Sequence, residues 1–216
     1  MAKDGGAAYA ETKTQDLYDR MAEVQNLAMK INGYRTSVAK YLKSLHLPID
    51  TASTVLDAGC GTGLVTLAFQ EAGYRPKRIE AIDLSIQSLA VACDEFAQHR
   101  RLVRRVDTIQ SNVLNMPFAD ATFDLVLMCG VLEYTPLVEG LAEVARVLKK
   151  GAPLVLLPVK PSVVGSVLEL LYNFKIHPLD EVRSTAERFF NIVDNSEFPK
   201  TEPIGWSKTI FLLEKK

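Results

Sequence analysis

Thr54-Val55-Leu56-Asp57-Ala58-Gly59-Cys60-Gly61-Thr62-Gly63-Leu64 reads as an apolar strand end running into a glycine-dense turn that opens a helix. A turn of this composition lets main-chain groups press against a flat, polar ligand, because Gly59, Gly61 and Gly63 carry no Cβ to hold it away. The spacing is G-x-G-x-G. A dinucleotide fingerprint would place its third glycine where this chain has Leu64. Downstream, Ile79-Glu80-Ala81-Ile82-Asp83-Leu84-Ser85 reads as a second strand closing on an acid, twenty residues after Gly63. A carboxylate there can accept hydrogen bonds from two ribose hydroxyls.

These residues resemble the class I S-adenosylmethionine-dependent methyltransferases. Their first motif is similar to Leu56-Asp57-Ala58-Gly59-Cys60-Gly61-Thr62-Gly63, and their second is an acid like Asp83. The likeness continues through Met116-Pro117-Phe118, Phe123-Asp124-Leu125-Val126-Leu127, Val131-Leu132-Glu133-Tyr134 and Arg146-Val147-Leu148-Lys149-Lys150-Gly151. It therefore spans about Val55 to Val159. Within the family the chain is most similar to the small-molecule branch that includes the ubiquinone and menaquinone C-methyltransferases.

The resemblance implies S-adenosyl-L-methionine as cofactor and a set of residues to hold it. Asp57 would face the amino-acid end, and the loop Gly59, Cys60, Gly61 to Gly63 would run along its carboxylate and sulfonium. Asp83 would hold the ribose while Leu84 packs on adenine. Asn112, with Val113 beside it, stands where relatives usually carry an aspartate for the adenine amino group; an amide oxygen is a weaker but serviceable acceptor. Cys129 and Gly130 follow the fourth strand, where the backbone passes under the methionine portion in the family. Tyr18, in the pair Tyr18-Asp19, resembles the aromatic residue that covers the cofactor in quinone-type relatives.

Methyl transfer from a sulfonium asks mainly for alignment and exclusion of water, so the catalytic signature is faint. Candidates for a base are Glu133, Tyr134 and His177. Tyr134 fills a slot where relatives often have histidine. Val163, Val164, Val167, Leu168, Leu171 and Phe174, with Met21 and Leu27, could line a hydrophobic acceptor pocket.

The elements that must position these groups alternate as βαβ. Strands are expected at Thr54 to Ala58, Arg78 to Asp83, Asp107 to Ser111, Phe123 to Met128 and Pro153 to Val159. Helices are expected from Gly63 to Ala72, after Ser85 as N-cap, and along Leu137, Leu141, Val144 and Leu148. The expected fold is α/β: a Rossmann-like, doubly wound seven-stranded mixed sheet with helices on both faces. Apolar residues from Leu17 to Leu45 predict an N-terminal helical extension, with Gly33 a break between two helices. A helical insertion follows the fifth strand, then a helix over Leu179 to Phe190, then a hairpin of Asn191 to Glu197 with Ser207 to Glu214. Residues 1–50 are read as the extension and possible lid of one domain, 51–216 as its methyltransferase body.

Composition narrows the partners. With 25 basic and 26 acidic residues the net charge is −1, so no overall field draws the chain to RNA or DNA. The basic group His99-Arg100-Arg101 with Arg104 and Arg105 reads as cations at a helix C-terminus. Cys60, Cys93 and Cys129 form no C-x-x-C pair; they read as small buried side chains in a reducing, cytoplasmic compartment, with no metal site. No apolar run reaches the roughly eighteen residues of a membrane span. The expected activity is methyl transfer to a small-molecule or lipid-like acceptor. A nicotinamide oxidoreductase of Rossmann type and a non-catalytic, cofactor-binding regulatory protein are the alternatives.

Overall fold

The computed structural model describes residues 33–103 and 105–216. Tyr18, Met21 and Leu27 lie outside the described residues. The chain runs α1 (Tyr34–Ser44), β1 (Thr54–Ala58), α2 (Leu64–Glu71), β2 (Arg78–Asp83), α3 (Ile86–Gln98), β3 (Val106–Gln110) and β4 (Leu125–Cys129). It continues with a 3-10 turn (Leu132–Tyr134), α4 (Leu137–Val147), β5 (Pro153–Leu157), α5 (Val163–Tyr172), α6 (Leu179–Ala186), β6 (Phe190–Glu197), a second 3-10 turn (Pro203–Trp206) and β7 (Thr209–Lys215). The seven-stranded sheet has the order β3-β2-β1-β4-β5-β7-β6. Its first five strands are parallel, and β7 inserts antiparallel between β5 and β6.

Alternation of side chains along each strand divides the core into two layers. Leu56, Ala58, Ile82, Val126, Met128 and Leu154 face α4 and α6, whereas Val55, Ile79, Leu125, Leu127 and Val155 face α1 and α2. Helices therefore cover both faces, as expected of a parallel sheet whose strands are apolar throughout. Tyr74 ties α1 to this body: its hydroxyl donates to Leu42 O at 2.9 Å and accepts from Leu47 N–H at 2.9 Å, while its ring stacks on Phe69.

Local signals explain where helices start. Ser85 Oγ accepts from Ser88 N–H at the N-cap of α3, and Ser162 Oγ accepts from Gly165 N–H at that of α5. The helix expected to reach Phe190 instead ends at Ala186, because Phe190 pairs with Lys215 as the first residue of β6. Sheet pairing there overrides the helical spacing. Cys93 is exposed on α3, a correction to the reading of all three cysteines as buried.

The connection from β3 to β4 carries Asn112 and is clamped by one guanidinium. Arg146 donates to Glu143, to Asp120, and to the carbonyls of Phe118 (2.7 Å) and Met116 (3.1 Å), while Glu143 accepts from Met116 N–H at 2.7 Å. Arg146→Ala would strand these carbonyls and is expected to cost about 1–3 kcal/mol of stability, read by urea denaturation. An unchanged midpoint would show the loop holds itself.

Candidate functional site

In a doubly wound sheet the crevice opens beyond the carboxyl ends of the strands where the winding reverses, which here is between β1 and β4. Asp57, Gly59 to Gly63, Asp83, Asn112, Cys129 and Gly130 all sit on that edge. The turn after β1 is tethered to the neighbouring strand: Cys60 N–H donates to Ile82 O at 2.8 Å, and Gly61 N–H donates to Asp83 Oδ2 at 2.8 Å. Asp83 Oδ1 accepts from Ser85 N–H at 2.9 Å, so this carboxylate also organises the start of α3.

The three glycines do different work. At Gly59 a Cβ would lie 2.3 Å from Val131 Cγ2, and at Gly63 it would lie 2.6 Å from the Phe96 ring; both are demanded by inward packing. Only Gly61, at φ +53°, would place a Cβ in open space, with no heavy atom within 4 Å. Of the three, Gly61 alone has open space where a side chain would stand.

Asp57 is 1% exposed. Its Oδ2 accepts from Thr66 Oγ1 at 2.6 Å, while its Oδ1 is buried with no hydrogen-bond partner among the described residues. Burial pushes its carboxyl up to about 7; hydrogen bonds from Thr66 act against that rise and the nearby Asp83 charge adds to it. An orphaned, half-titrated carboxyl at the root of a glycine turn is suited to meet a cationic group. Leu84, 46% exposed, offers an uncovered apolar side chain beside Asp83. Asn112 Oδ1 accepts from Leu114 N–H at 2.9 Å, which fixes the amide in an Asx turn and leaves its second lone pair available. The Val113 side chain belongs to the core, so only its backbone can meet a ligand. Cys60 is buried and its thiol is pushed well above the usual range by that burial, which makes it unreactive.

The candidate bases are gathered by the 3-10 turn after β4. Glu133 is 4% exposed; its Oε1 accepts from Val159 N–H, and its Oε2 is buried without a partner among the described residues. The Tyr134 ring meets Phe174 edge to face at 5.3 Å. His177, in the loop before α6, is largely buried: its Nε2 lies 3.2 Å from Leu132 O and its Nδ1 3.8 Å from Glu181 Oε2. The apolar set on and after α5 is largely turned outward, since Val163, Val164, Val167 and Leu171 are exposed; of that set Leu168 and Phe174 are half-buried. Helical spacing gave the stripe but not the direction it faces. Sequence reasoning missed Thr66, which holds Asp57, and Tyr34 and Lys208, which approach Cys129 from α1 and from the start of β7. No local pattern marks them.

A separate concavity of about 370 Å³ lies at the amino-terminal edge of the sheet, lined by Thr54, Lys77, Arg78 and Glu80 among others. None of the candidate residues lines it.

A family profile described as "Methyltransferase domain" matches residues 55–151. The chain is 30% identical over 165 residues to a demethylmenaquinone methyltransferase of Bacillus licheniformis, covering 75% of this chain and 67% of that protein. The chain belongs to the class I S-adenosylmethionine-dependent methyltransferases. It is also 33% identical over 141 residues to the demethylmenaquinone methyltransferase of Lactiplantibacillus plantarum, across 65% of this chain and 56% of that protein. This family member thus spans between about half and two thirds of the length of those relatives. Its fold matches that of geranyl diphosphate C-methyltransferase from Streptomyces coelicolor A3(2), solved with S-adenosyl-L-homocysteine, at TM-score 0.68 and 18% identity, over 82% of this chain and 75% of the other.

Proposed function

We propose that this chain is an S-adenosylmethionine-dependent methyltransferase acting on a small or lipid-like acceptor. The observation that carries the reading is the pair of acids flanking one glycine turn: Asp57 with a buried, unpartnered oxygen at its root, and Asp83 bonded to Gly61 N–H at its lip. These residues fit the cofactor. Asp57 would take the amino group and Gly61 would let the backbone approach. Asp83 would take ribose hydroxyls, since a carboxylate with about four acceptor sites can hold the loop and a ligand together. Leu84, Asn112 and the Val113 backbone would frame the adenine. Cys129 and Gly130 would floor the methionine portion, with Tyr18 as a cover.

When bound, the cofactor supplies an already activated methyl group. What remains for the protein is to orient the acceptor and keep water away. Glu133 is best placed of the three candidate bases to accept a proton, because its Oε2 is buried and unengaged, whereas the Tyr134 ring packs on Phe174 and the His177 ring is held at Leu132 O. Of the extension expected over residues 1–50, the described part is α1 (Tyr34–Ser44), which packs on the 51–216 body. The names of the quinone-methylating relatives and the net charge of −1 both support a small or lipid-like acceptor over nucleic acid, and the free thiols support a cytoplasmic setting. Among the described residues no helix is long and apolar enough to cross a membrane.

The test is transfer of a tritiated methyl group to a panel of quinols, catechols and unsaturated acids, with RNA and protein as controls. Label is expected in a small acceptor. Label confined to RNA or protein would overturn the assignment.

A further inference from the structure

Thr66 lies in the first turn of α2 and is 0% exposed. The N-cap of that helix is Gly63, which has no side chain to satisfy the first amide groups. Asp57 arrives from β1 in its place. The Thr66 hydroxyl donates to Asp57 Oδ2 at 2.6 Å, and the Thr66 N–H also hydrogen-bonds the carboxyl. Oδ1 is buried with no partner among the described residues.

Two features single out this contact. A helical threonine commonly turns its hydroxyl back to the carbonyl four positions earlier, whereas this one reaches nine positions back, into the preceding strand. Its length is that of a hydroxyl donating to an ionised oxygen. The other groups around Asp57 give the charge no such support. Asp83 faces it from β2 and adds a like charge. The Cys60 thiol in the turn and the Cys129 thiol at the end of β4 face it too, both kept protonated by burial, and Cys129 in turn meets Tyr34, Glu133 and Lys208. Among the groups acting directly on Asp57, only Thr66 favours the charged form.

A buried carboxyl free to rotate could present either oxygen, or a protonated O–H, to an incoming ammonium. Thr66 removes that choice, because with Oδ2 engaged the acceptor left over is Oδ1. A side chain ordered in advance spares the ligand the cost of ordering it. We propose that Thr66 is a positioning residue for cofactor binding: its hydroxyl fixes Oδ2 of Asp57 so that Oδ1 is presented, as a charged acceptor, to the amino group of S-adenosylmethionine. The proposal deepens the methyltransferase reading above and rests on it.

The test compares wild type, Thr66→Val, which swaps the hydroxyl for a methyl group of similar shape, and Thr66→Ser, which keeps the hydroxyl. Calorimetric titration with S-adenosylhomocysteine between about pH 6 and 8.5 is expected to show Thr66→Val about tenfold weaker at pH 7, with Thr66→Ser recovering most of that loss. The rise in wild-type affinity as Asp57 ionises, near pH 7, should move to higher pH in Thr66→Val and stay in place in Thr66→Ser. In ligand-free protein the Asp57 carboxyl carbon, followed by NMR, should report the same upward displacement without any cofactor. Should Thr66→Val fail to fold, Thr66→Ala removes the same hydroxyl and is read in the same way. Val and Ser variants that bind alike would overturn the proposal, since the hydroxyl would then be dispensable. So would a weakened Thr66→Val whose pH profile and Asp57 titration match wild type, which marks a merely structural role. Failure of wild type to bind S-adenosylhomocysteine at all would instead refute the underlying methyltransferase reading, and the role of Thr66 with it.

Discussion

Asp83→Ala is expected to weaken S-adenosylhomocysteine binding by roughly 1.5–3 kcal/mol, about 10- to 150-fold, through lost hydrogen bonds to a charged acceptor. Two consequences combine in this side chain. It would meet the ribose, and it holds the glycine turn and the start of α3 through Gly61 N–H and Ser85 N–H, both within 2.9 Å. Asp83→Asn should fall between wild type and alanine, because one oxygen remains to accept while the charge is gone. Calorimetric titration of the three proteins separates these contributions. Unchanged affinity in the alanine variant would remove Asp83 from the site.

Asp57→Asn is expected to act in opposite directions on stability and on binding. The Asp57 carboxyl ionises near 3.8 when unfolded and near 7 in the folded, ligand-free chain. The folded state therefore keeps a proton that the unfolded chain has released. Its stabilising contribution is complete below about pH 4 and is lost as pH rises through about 7, a change of roughly 4 kcal/mol. Asparagine, neutral at every pH, should make the ligand-free protein more stable at pH 8 and leave it nearly unchanged at pH 4. The same substitution should weaken S-adenosylhomocysteine binding by about tenfold or more, since the charge that meets the amino group is missing. Binding to wild type near pH 6 should release a proton, seen as a buffer-dependent heat. A variant destabilised at pH 8 would show that the carboxylate is structural rather than held ready for a cation.

Much of this site could be read from residue types and spacing, and the parts that could not have physical reasons. β2 begins and ends where its apolar run and terminal acid predict, and Ser85 caps α3 as its side-chain chemistry dictates. Both signals are local. The separate duties of Gly59, Gly61 and Gly63 are not, because Val131 and Phe96 come from distant segments and only packing brings them against the turn. The same holds for Phe190, whose strand partner Lys215 decides its conformation, and for α5, whose spacing is helical whichever side meets solvent. Lys208 is the extreme case: nothing around it in the chain distinguishes it from a surface lysine, yet it is 6% exposed and its side chain lies over Gly130.

The central claim is that the turn after β1, closed by the acid at the end of β2, holds an adenosyl sulfonium. Titration of the folded protein with S-adenosylhomocysteine, run beside NAD, addresses it most directly. Saturable binding of one S-adenosylhomocysteine per chain, with a matching rise in thermal stability and no such response to NAD, is the predicted result. A folded protein that ignores S-adenosylhomocysteine, or that binds NAD in its place, would contradict the account.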